Sequence, residues 1–232
     1  MRTKTLLIAA AALAAGMLTS SAQTYSQNIV GYVNQTVQPY FNMYVVPFTV
    51  NSSNNAEAVF PCLQGGDFIA TWNAVQQAYT FSVYTGTPGG WYDGLSYLTV
   101  NSPLLPAGTG LFYNNGSGGL ETNTYAGTVV LSQTVTLQSY YNMVGSMPPI
   151  AASVEDPNYG LLTALQGGDF VATWDAVQQA YTFSVYTGTP GSWYDGLSYL
   201  TVPPPSISVG EGIFYNNGSG GNETWTQTVV VP

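Results

Sequence analysis

Apolar and polar residues alternate with a period of two along most of this chain. In the segment 78–85, Tyr79 and Phe81 would lie on one face of a strand, and Thr80 and Ser82 on the other. Strict alternation is typical of a β-strand, whereas an amphipathic helix repeats every 3.6 residues. No segment after residue 22 keeps a helical period over three turns. The pattern therefore predicts an all-β protein.

Clusters of Gly, Pro, Asn and Asp separate the predicted strands. Turn signals lie at 73–77, at 86–89, at Asp93-Gly94 and at Asn115-Gly116. The last of these predicts a tight hairpin, because Asn-Gly accepts the positive φ values that such a turn needs. Short strands with regularly spaced turns are typical of a β-sandwich or a β-barrel.

A long internal repeat sets the domain organisation. The stretch Leu63 to Val100 recurs at Leu165 to Val202, and only three of its 38 positions differ. Such self-similarity indicates that one structural unit is built twice. We predict two tandem β-sandwich or barrel-like modules of about 100 residues. The predicted boundaries are a signal peptide at 1–22, a leader strand at 23–37, and modules at 38–132 and 133–232.

The first residues are typical of a secretory signal. A cationic start is followed by an apolar run from Leu6 to Met17 and by small residues up to Ala22. The apolar run is too short for a membrane-spanning helix, and no later segment is apolar enough to span. The sequence predicts a secreted protein that is extracellular or held at the cell surface, without membrane insertion.

The chain beyond the predicted signal peptide contains no Lys, Arg or His. The two basic residues, Arg2 and Lys4, both lie inside that signal, so its removal changes the formal charge from −9 to −11. Nucleic acids are bound largely through Lys and Arg, and we therefore expect no nucleic-acid partner. Each carboxylate must be solvated, hydrogen-bonded to neutral donors or paired with a bound cation.

The ends of the mature chain predict assembly edges. The leader segment and the C-terminal TVVVP both align with the junction between the modules when Gln35-Thr36-Val37 is matched to Gln133-Thr134-Val135. Two modules would then have terminal strands with unpaired edges, which invite pairing with another chain. The predicted edge residues are Ile29, Val30, Tyr32 and Val33 at one end, and Val229, Val230 and Val231 at the other.

The repeated aromatic residues allow two interpretations. Alternation favours a core position for Trp72, Tyr79 and Phe81. Neighbouring strand residues point to opposite faces, so one residue of the Trp91-Tyr92 pair is predicted to be exposed. An exposed ring beside an acid suits stacking on a sugar or anchoring an interface. The candidate ligand contacts are Trp91, Tyr92 and Asp93 with their copies Trp193, Tyr194 and Asp195.

Polar chemistry is sparse. With no general base other than a carboxylate, a nucleophilic triad is excluded, and we expect no enzyme activity. Glycoside hydrolysis by paired carboxylates remains the alternative. We predict no cofactor; structural Ca²⁺ is a weaker alternative, with Asp67 and Asp169 as its candidate ligands. The single cysteine, Cys62, fits a small buried thiol or an intermolecular disulfide.

Three motifs resemble a group of secreted, mostly uncharacterised bacterial proteins. These motifs are NIVGYVN at 28–34, the WYD steps at 91–93 and 193–195, and the Gly-x-Gly-x-Phe-Tyr-Asn pattern at 108–114 and 210–216. The resemblance implies export and duplicated all-β modules, but it brings no activity and no site residue.

These features predict a non-enzymatic, exported structural protein. It would assemble with itself into a cell-surface layer, fibre or matrix through strand pairing and aromatic contacts. The alternative is a bivalent carbohydrate-binding or adhesion protein, in which two equal sites would gain avidity for an extracellular glycan.

Overall fold

A computed structural model describes residues 29–146, 148–157 and 161–228. The predicted signal peptide, most of the segment before the first strand, and Val229, Val230 and Val231 lie outside these ranges. The described chain is all-β, with very short helices. No helix within it is both long and apolar enough to cross a membrane.

The first module contains nine strands and one short helix. They are β1 (Val30–Val37), β2 (Tyr40–Val45), β3 (Phe48–Thr49), α1 (Ala56–Val59), β4 (Phe68–Asn73), β5 (Ala78–Tyr84), β6 (Trp91–Asp93), β7 (Thr99–Val100), β8 (Gly110–Asn115) and β9 (Glu121–Val129). A six-stranded antiparallel sheet has the order β2-β8-β4-β5-β6-β7, and a smaller sheet has the order β1-β9-β3.

The second module repeats this plan. Its elements are β10 (Ser132–Leu137), β11 (Tyr140–Gly145), β12 (Ala152–Ser153), a 3₁₀ turn (Leu161–Thr163), β13 (Phe170–Asp175), β14 (Ala180–Tyr186), β15 (Trp193–Asp195), β16 (Thr201–Val202), β17 (Ser206–Ile207), β18 (Gly212–Asn217) and β19 (Glu223–Thr228). Its large sheet has the order β11-β18-β13-β14-β15-β16, and β10 pairs with β19. The residues that correspond to Phe48 and Thr49 are Pro148 and Pro149, which cannot donate to a ladder.

Each small sheet continues a pair of strands from the large sheet around a corner. In the first module the β2–β8 pair leads directly into the β1–β9 pair. The chain turns at Tyr40, which has a φ of 67°. Buried Asn42 holds this corner, because its side chain accepts from Gln38 N at 2.8 Å and donates to Gln38 O at 2.8 Å. Tyr140 and Asn142 repeat the corner in the second module.

The leader strand belongs to the first module rather than preceding it, because β1 pairs along its whole length with β9. Its equivalent is β10, which pairs with β19. Val37 faces Glu121, and Leu137 faces the corresponding Glu223. Val37 therefore corresponds in the structure to Leu137. The alignment on the Gln-Thr-Val motif instead pairs Val37 with Val135, two residues earlier in the chain.

The predicted Asn115-Gly116 hairpin is wrong. The strands on either side of it, β8 and β9, pair with other strands and lie in different sheets. The positive φ in this loop belongs to Gly118. Asn115 is buried and acts through its side chain, which accepts from Ser117 N at 2.9 Å and donates to Gly119 O at 2.8 Å. The residue stabilises a corner between sheets instead of a tight two-residue turn.

Each module has its own core between its large sheet and its smaller strands, which in the second module include a separate β12–β17 pair. In the first, Tyr44, Ile69, Trp91 and Tyr113 from the large sheet pack against residues of the small sheet such as Tyr125. The second core repeats this arrangement. A third apolar cluster lies between the two large sheets and combines residues of both modules. The modules therefore pack face to face.

Candidate functional site

Trp91 and Trp193 lie in the module cores, with an exposed fraction of 1% each. A ring without exposed surface cannot stack on a sugar, so their prediction as ligand contacts is wrong. Trp91 packs on Tyr84 with ring centroids 5.1 Å apart, and Trp193 packs on Tyr186 in the same way. The WYD motif is thus anchored in the fold by its first residue.

A glutamate outside the repeated stretch receives the indole N–H in each module. Glu57 Oε1 lies 3.1 Å from Trp91 Nε1 and 2.6 Å from Gly89 N. Glu155 does the same for Trp193 at 2.7 Å and for Gly191 N at 2.8 Å. The two glutamates come from non-equivalent positions, one from α1 and one from the loop after β12. Sequence reasoning missed both, because no fixed spacing relates them.

Tyr92 is the partly exposed member of its pair, as alternation predicts. Its ring stacks on that of Tyr97, with centroids 6.0 Å apart and planes 21° apart. Tyr97 is 76% exposed. A shallow groove of about 420 Å³ runs beside the stack, lined by Thr85, Gly90, Trp91, Tyr92, Tyr97 and Thr99. Tyr194 and Tyr199 repeat the stack with centroids 5.9 Å apart. Two nearly parallel rings beside hydroxyl groups suit the apolar face and hydroxyls of a sugar.

Asp93 organises the turn that carries Tyr97. Its Oδ1 accepts from Ser96 N at 2.6 Å and from Ser96 Oγ at 2.7 Å. These bonds hold the pKa of the Asp93 carboxyl below its ordinary value, and Asp195 is affected in the same way by Ser198. The structure thus gives both acids a clear role in shaping the turn.

The same turn exposes three large apolar side chains in each module. Leu95, Tyr97 and Leu98 are all mostly exposed, and so are their copies Leu197, Tyr199 and Leu200. Sequence analysis did not single these residues out, although Asp-Gly before Leu-Ser-Tyr-Leu marks a turn that points away from the sheet. Clustered exposed apolar side chains are typical of contact surfaces.

The calcium candidates Asp67 and Asp169 are buried and fully engaged with neutral donors. The carboxylate of Asp67 accepts from Gln64 N at 2.7 Å, Gly116 N at 2.9 Å and Tyr113 Oη at 2.6 Å. Burial, together with the neighbouring carboxylate, raises the pKa of Tyr113 well above its ordinary value. Asp169 has the matching donors in the second module.

This donor set fits a structural carboxylate better than a metal ligand. Among the residues that the structure describes, no three Cys, Asp or Glu side chains are grouped closely enough to hold an ion. Glu121 joins this group of residues by accepting a hydrogen bond from Gln64 Nε2 at 2.6 Å.

Cys62 lies half-buried beside this cluster. Its sulfur is 3.5 Å from Asn123 Oδ1 and 3.9 Å from Tyr113 Oη. Burial raises the pKa of the thiol to about 11. A thiol in such an environment is less reactive than an exposed one.

Among the residues that the structure describes, β1 is the outer strand of its sheet, and it contains the predicted N-terminal edge residues Val30, Tyr32 and Val33. Val129 N donates to Ile29 O at 2.8 Å, so the pair formed by residues 29 and 129 is hydrogen-bonded. Because antiparallel pairs alternate, the backbone groups of Val30, Tyr32 and Asn34 then point away from β9. Val30 is 73% exposed and Tyr32 is 65% exposed. Val33, in contrast, packs against the core.

An aromatic face on each large sheet contacts the other module. In the first module we define it by Phe41, Ala70, Trp72, Gln77, Tyr79 and Phe112, and in the second by Tyr141, Ala172, Trp174, Gln179, Tyr181 and Phe214. Predicted core residues Trp72, Tyr79 and Phe81 lie on this side of the sheet and not in the module core. Their alternation is as predicted, but the surface that covers them is the second module.

Reciprocal contacts relate the two aromatic faces. Trp72 Nε1 donates to Tyr141 O at 2.9 Å, and Trp174 Nε1 donates to Phe41 O at 2.8 Å. The ring of Trp72 meets Phe214 edge-on at 5.4 Å, and Trp174 meets Phe112 at the same distance. Gln77 and Gln179 each bond both the N–H and the C=O of the facing residue, Tyr141 and Phe41 respectively.

Two apolar clefts flank this contact. One, of about 310 Å³, is lined by residues including Phe81 and Trp174, and the other, of about 300 Å³, is lined by residues including Trp72 and Phe183. Burial raises the pKa of Tyr79 strongly and that of Tyr181 to about 12, so both phenols are neutral here. The clefts thus offer rings and few polar groups.

No protein-family model matches the chain, and comparisons with curated proteins and with solved structures found no match. The functional argument therefore rests on the surfaces described above. These surfaces are the free edge of β1, the exposed turns that follow Asp93 and Asp195, and the paired aromatic faces.

Proposed function

We propose that this chain is an exported, non-enzymatic structural protein that assembles with itself into a layer, fibre or matrix. The observation that carries the proposal is the free edge of β1. Outward backbone groups of Val30, Tyr32 and Asn34 are combined there with exposed apolar side chains. A second strand placed along this edge would satisfy those groups and cover Tyr32 at the same time.

The edge lacks the devices that prevent pairing in monomeric proteins. Sheet edges are commonly protected by Lys, Pro, a bulge or an inward charge. The β1 sequence VGYVNQTV contains no charged residue and no proline, and its register with β9 is uninterrupted. Lys and Arg are missing from residues 5–232, so no cationic side chain protects this edge or the exposed turns. This composition favours association over dispersal.

Substitutions at position 32 separate edge pairing from ring contacts. The backbone N–H of Tyr32 points to the free edge, so Tyr32→Pro removes an outward donor without losing a bond to β9. Tyr32→Thr removes the same ring but keeps the N–H. We expect wild type and Tyr32→Thr to form large species in sedimentation velocity and negative-stain microscopy, and Tyr32→Pro to form far fewer. A wild-type chain that stays monomeric at high concentration would contradict the proposal.

Glycan binding is a second candidate, favoured by the stacked pairs Tyr92–Tyr97 and Tyr194–Tyr199. The first pair borders a groove with hydroxyl groups, the second pair repeats the stack, and the two copies would provide bivalent binding. We expect a Tyr97→Ala, Tyr199→Ala double variant to lose any signal on a glycan array. Leu104→Ala, at an exposed position away from the stacks, serves as the control. Equal binding by both variants would exclude these rings as the contact.

A further inference from the structure

The contact between the modules is built from residues that the chain contains twice. Of the six residues that define each aromatic face, only Phe41 and Tyr141 differ. Trp72 bonds the backbone of Tyr141 as Trp174 bonds the backbone of Phe41, and both acceptors are main-chain oxygens. Because a carbonyl is independent of side-chain identity, the one difference leaves these bonds unchanged.

Reciprocal contacts between near-identical surfaces make an isologous interface, in which each surface is complementary to itself. A first-module face fits a second-module face in this structure. It follows that a first-module face also fits another first-module face, and a second-module face another second-module face. The rings support this equivalence, since Trp72 meets Phe214 at 89° and Trp174 meets Phe112 at 84°.

We propose that each aromatic face is a docking surface for the same face of a second copy of this chain, which takes the place of the chain's own other module. The inference rests on the proposed self-assembly and adds a contact different from the β1 edge. A chain whose modules separate would present two such faces, one at each end. Open chains could then join through successive face-to-face contacts.

Chain connectivity keeps the intramolecular contact dominant under ordinary conditions. Only Val130 and Leu131 connect β9 with β10. A short connection gives the partner face an effective concentration of about millimolar or above, which a second chain seldom reaches. Opening also breaks contacts that are not repeated, namely Val45 N to Gly210 O at 2.9 Å and Gln35 Nε2 to Val209 O at 3.2 Å. Exchange should therefore appear when one face is disabled.

Single-face variants test the proposal directly. Ala70 and Ala172 are each 2% exposed in the layer between the sheets. An aspartate there would be unpaired in an apolar layer, since no Lys or Arg exists beyond residue 4. We expect Ala70→Asp to release the second-module face and Ala172→Asp to release the first. The double variant Ala70→Asp, Ala172→Asp has no intact face.

The expected masses differ sharply. In a Tyr32→Pro background, which removes edge pairing, each single variant should sediment with twice the mass of the monomer. The double variant should be monomeric, with a smaller sedimentation coefficient than the closed wild type. Thr122→Asp adds the same charge at an exposed position of β9 and should remain a closed monomer. A cooperative unfolding transition in urea would report whether the modules stay folded.

A second variant opens the contact between the modules without a buried charge, in case the aspartate variants do not fold. Trp72→Ala with Gln77→Ala removes the ring and the side-chain bonds to Tyr141 from two half-buried positions, and it should also give a dimer. Opened, folded single-face variants that remain monomeric would overturn the docking proposal. A dimeric double variant would overturn it as well, because the contact would then lie elsewhere. Neither result bears on edge pairing, which the substitutions at position 32 test separately.

Discussion

The phenol of Tyr113 donates a hydrogen bond of 2.6 Å to the carboxylate of Asp67, which has no exposed surface. The same acid accepts from two backbone N–H groups, Gln64 and Gly116. Asp67 thus joins the turn before β4 to the end of β8, and Tyr215 repeats the bond to Asp169. In a chain without cationic partners, neutral donors compensate the buried charge.

Removal of this phenol should destabilise the first module. Tyr113→Phe deletes one bond to a charged acceptor and leaves the Asp67 carboxylate less compensated, which costs about 2 kcal/mol. Tyr97→Phe removes a hydroxyl of the same kind from an exposed ring and should change stability little. The free energy of unfolding in urea measures both. Equal stability of the two variants would contradict a structural role for the Tyr113–Asp67 bond.

Glu57 should contribute more to the free energy of unfolding than its position on a one-turn helix would indicate. Glu57→Gln keeps an acceptor but removes the charge that strengthens the bonds from Trp91 and Gly89, so we expect a loss of about 1 kcal/mol. Asp175→Asn is the matched control, since it removes one charge at a position where the first module already has Asn73. Asn73 and Asp175 make the same bonds to the following turn. Urea unfolding that ranks the control as the more damaging change would contradict this role.

The sequence predicted the strands because alternation and turn residues are local signals. It did not predict which side of a strand faces the module core. In β4 both sides are apolar, with Ile69 in the core and Ala70 in the layer between modules. Two-sided burial produces apolar residues on both faces, and alternation alone cannot tell the two coverings apart. Which face of β4 lies in the module core and which lies between the modules is seen only when the second module is packed against the first.

Among the candidate ligand contacts, Trp91 shows the same limit: alternation alone does not tell which face of a strand is buried. Alternation predicted that one residue of Trp91-Tyr92 is exposed, but it gave no preference for which; Tyr92 is partly exposed and Trp91 is buried. Trp91 is buried in the module core, and its indole N–H is accepted by Glu57, which lies 34 residues earlier in the chain and outside the repeat. Long-range partners of this kind leave no spacing signal in one sequence. Tyr97, the most exposed ring of the stack, follows a local turn signal, but it was not among the predicted ligand contacts.

The turns that carry Tyr97 and Tyr199 should persist in mild acid. Hydrogen bonds from Ser96 and Ser198 lower the pKa values of Asp93 and Asp195 below their ordinary 3.8. A depressed folded-state pKa contributes stability that is complete above the unfolded pKa and is lost as pH falls through the folded value. The midpoints of the carboxyl ¹³C titrations of Asp93 and Asp195 should therefore lie below the ordinary 3.8. Ser96→Ala should raise the titration midpoint of Asp93 and leave Asp195 unchanged. Identical midpoints in both proteins would contradict control by Ser96.

Cys62 should react slowly while the chain is folded. A rise of the thiol pKa from 9.0 to about 11 lowers the thiolate fraction at mildly alkaline pH by about 100-fold. We expect alkylation by iodoacetamide to be slower in the native protein by at least that factor than in urea. Cys62→Ala, which copies Ala164 of the second module, should remain folded and unreactive. Fast native alkylation would instead favour the intermolecular disulfide.

Glu211 lies at the contact between the modules, and its protonation state should affect the stability of the chain. It lies where Tyr44 bridges to the second module, accepts from Ser208 N at 2.8 Å, and has no acidic counterpart in the first module, where Thr109 stands. Burial raises the pKa of its carboxyl above the ordinary 4.5. A raised folded-state pKa gives stability that is complete below the unfolded pKa and is lost as pH rises through the folded value.

Glu211→Gln should therefore stabilise the chain near neutral pH, because the amide remains an acceptor and has no charge to desolvate. The gain should vanish below about pH 4.5, where wild-type Glu211 is itself neutral. Asp175→Asn removes the same charge from a turn and controls for the reduced net repulsion. Urea unfolding of the three proteins at both pH values measures the difference. A gain that is equal at both pH values, or equal to that of Asp175→Asn, would show that burial of Glu211 is not its cause.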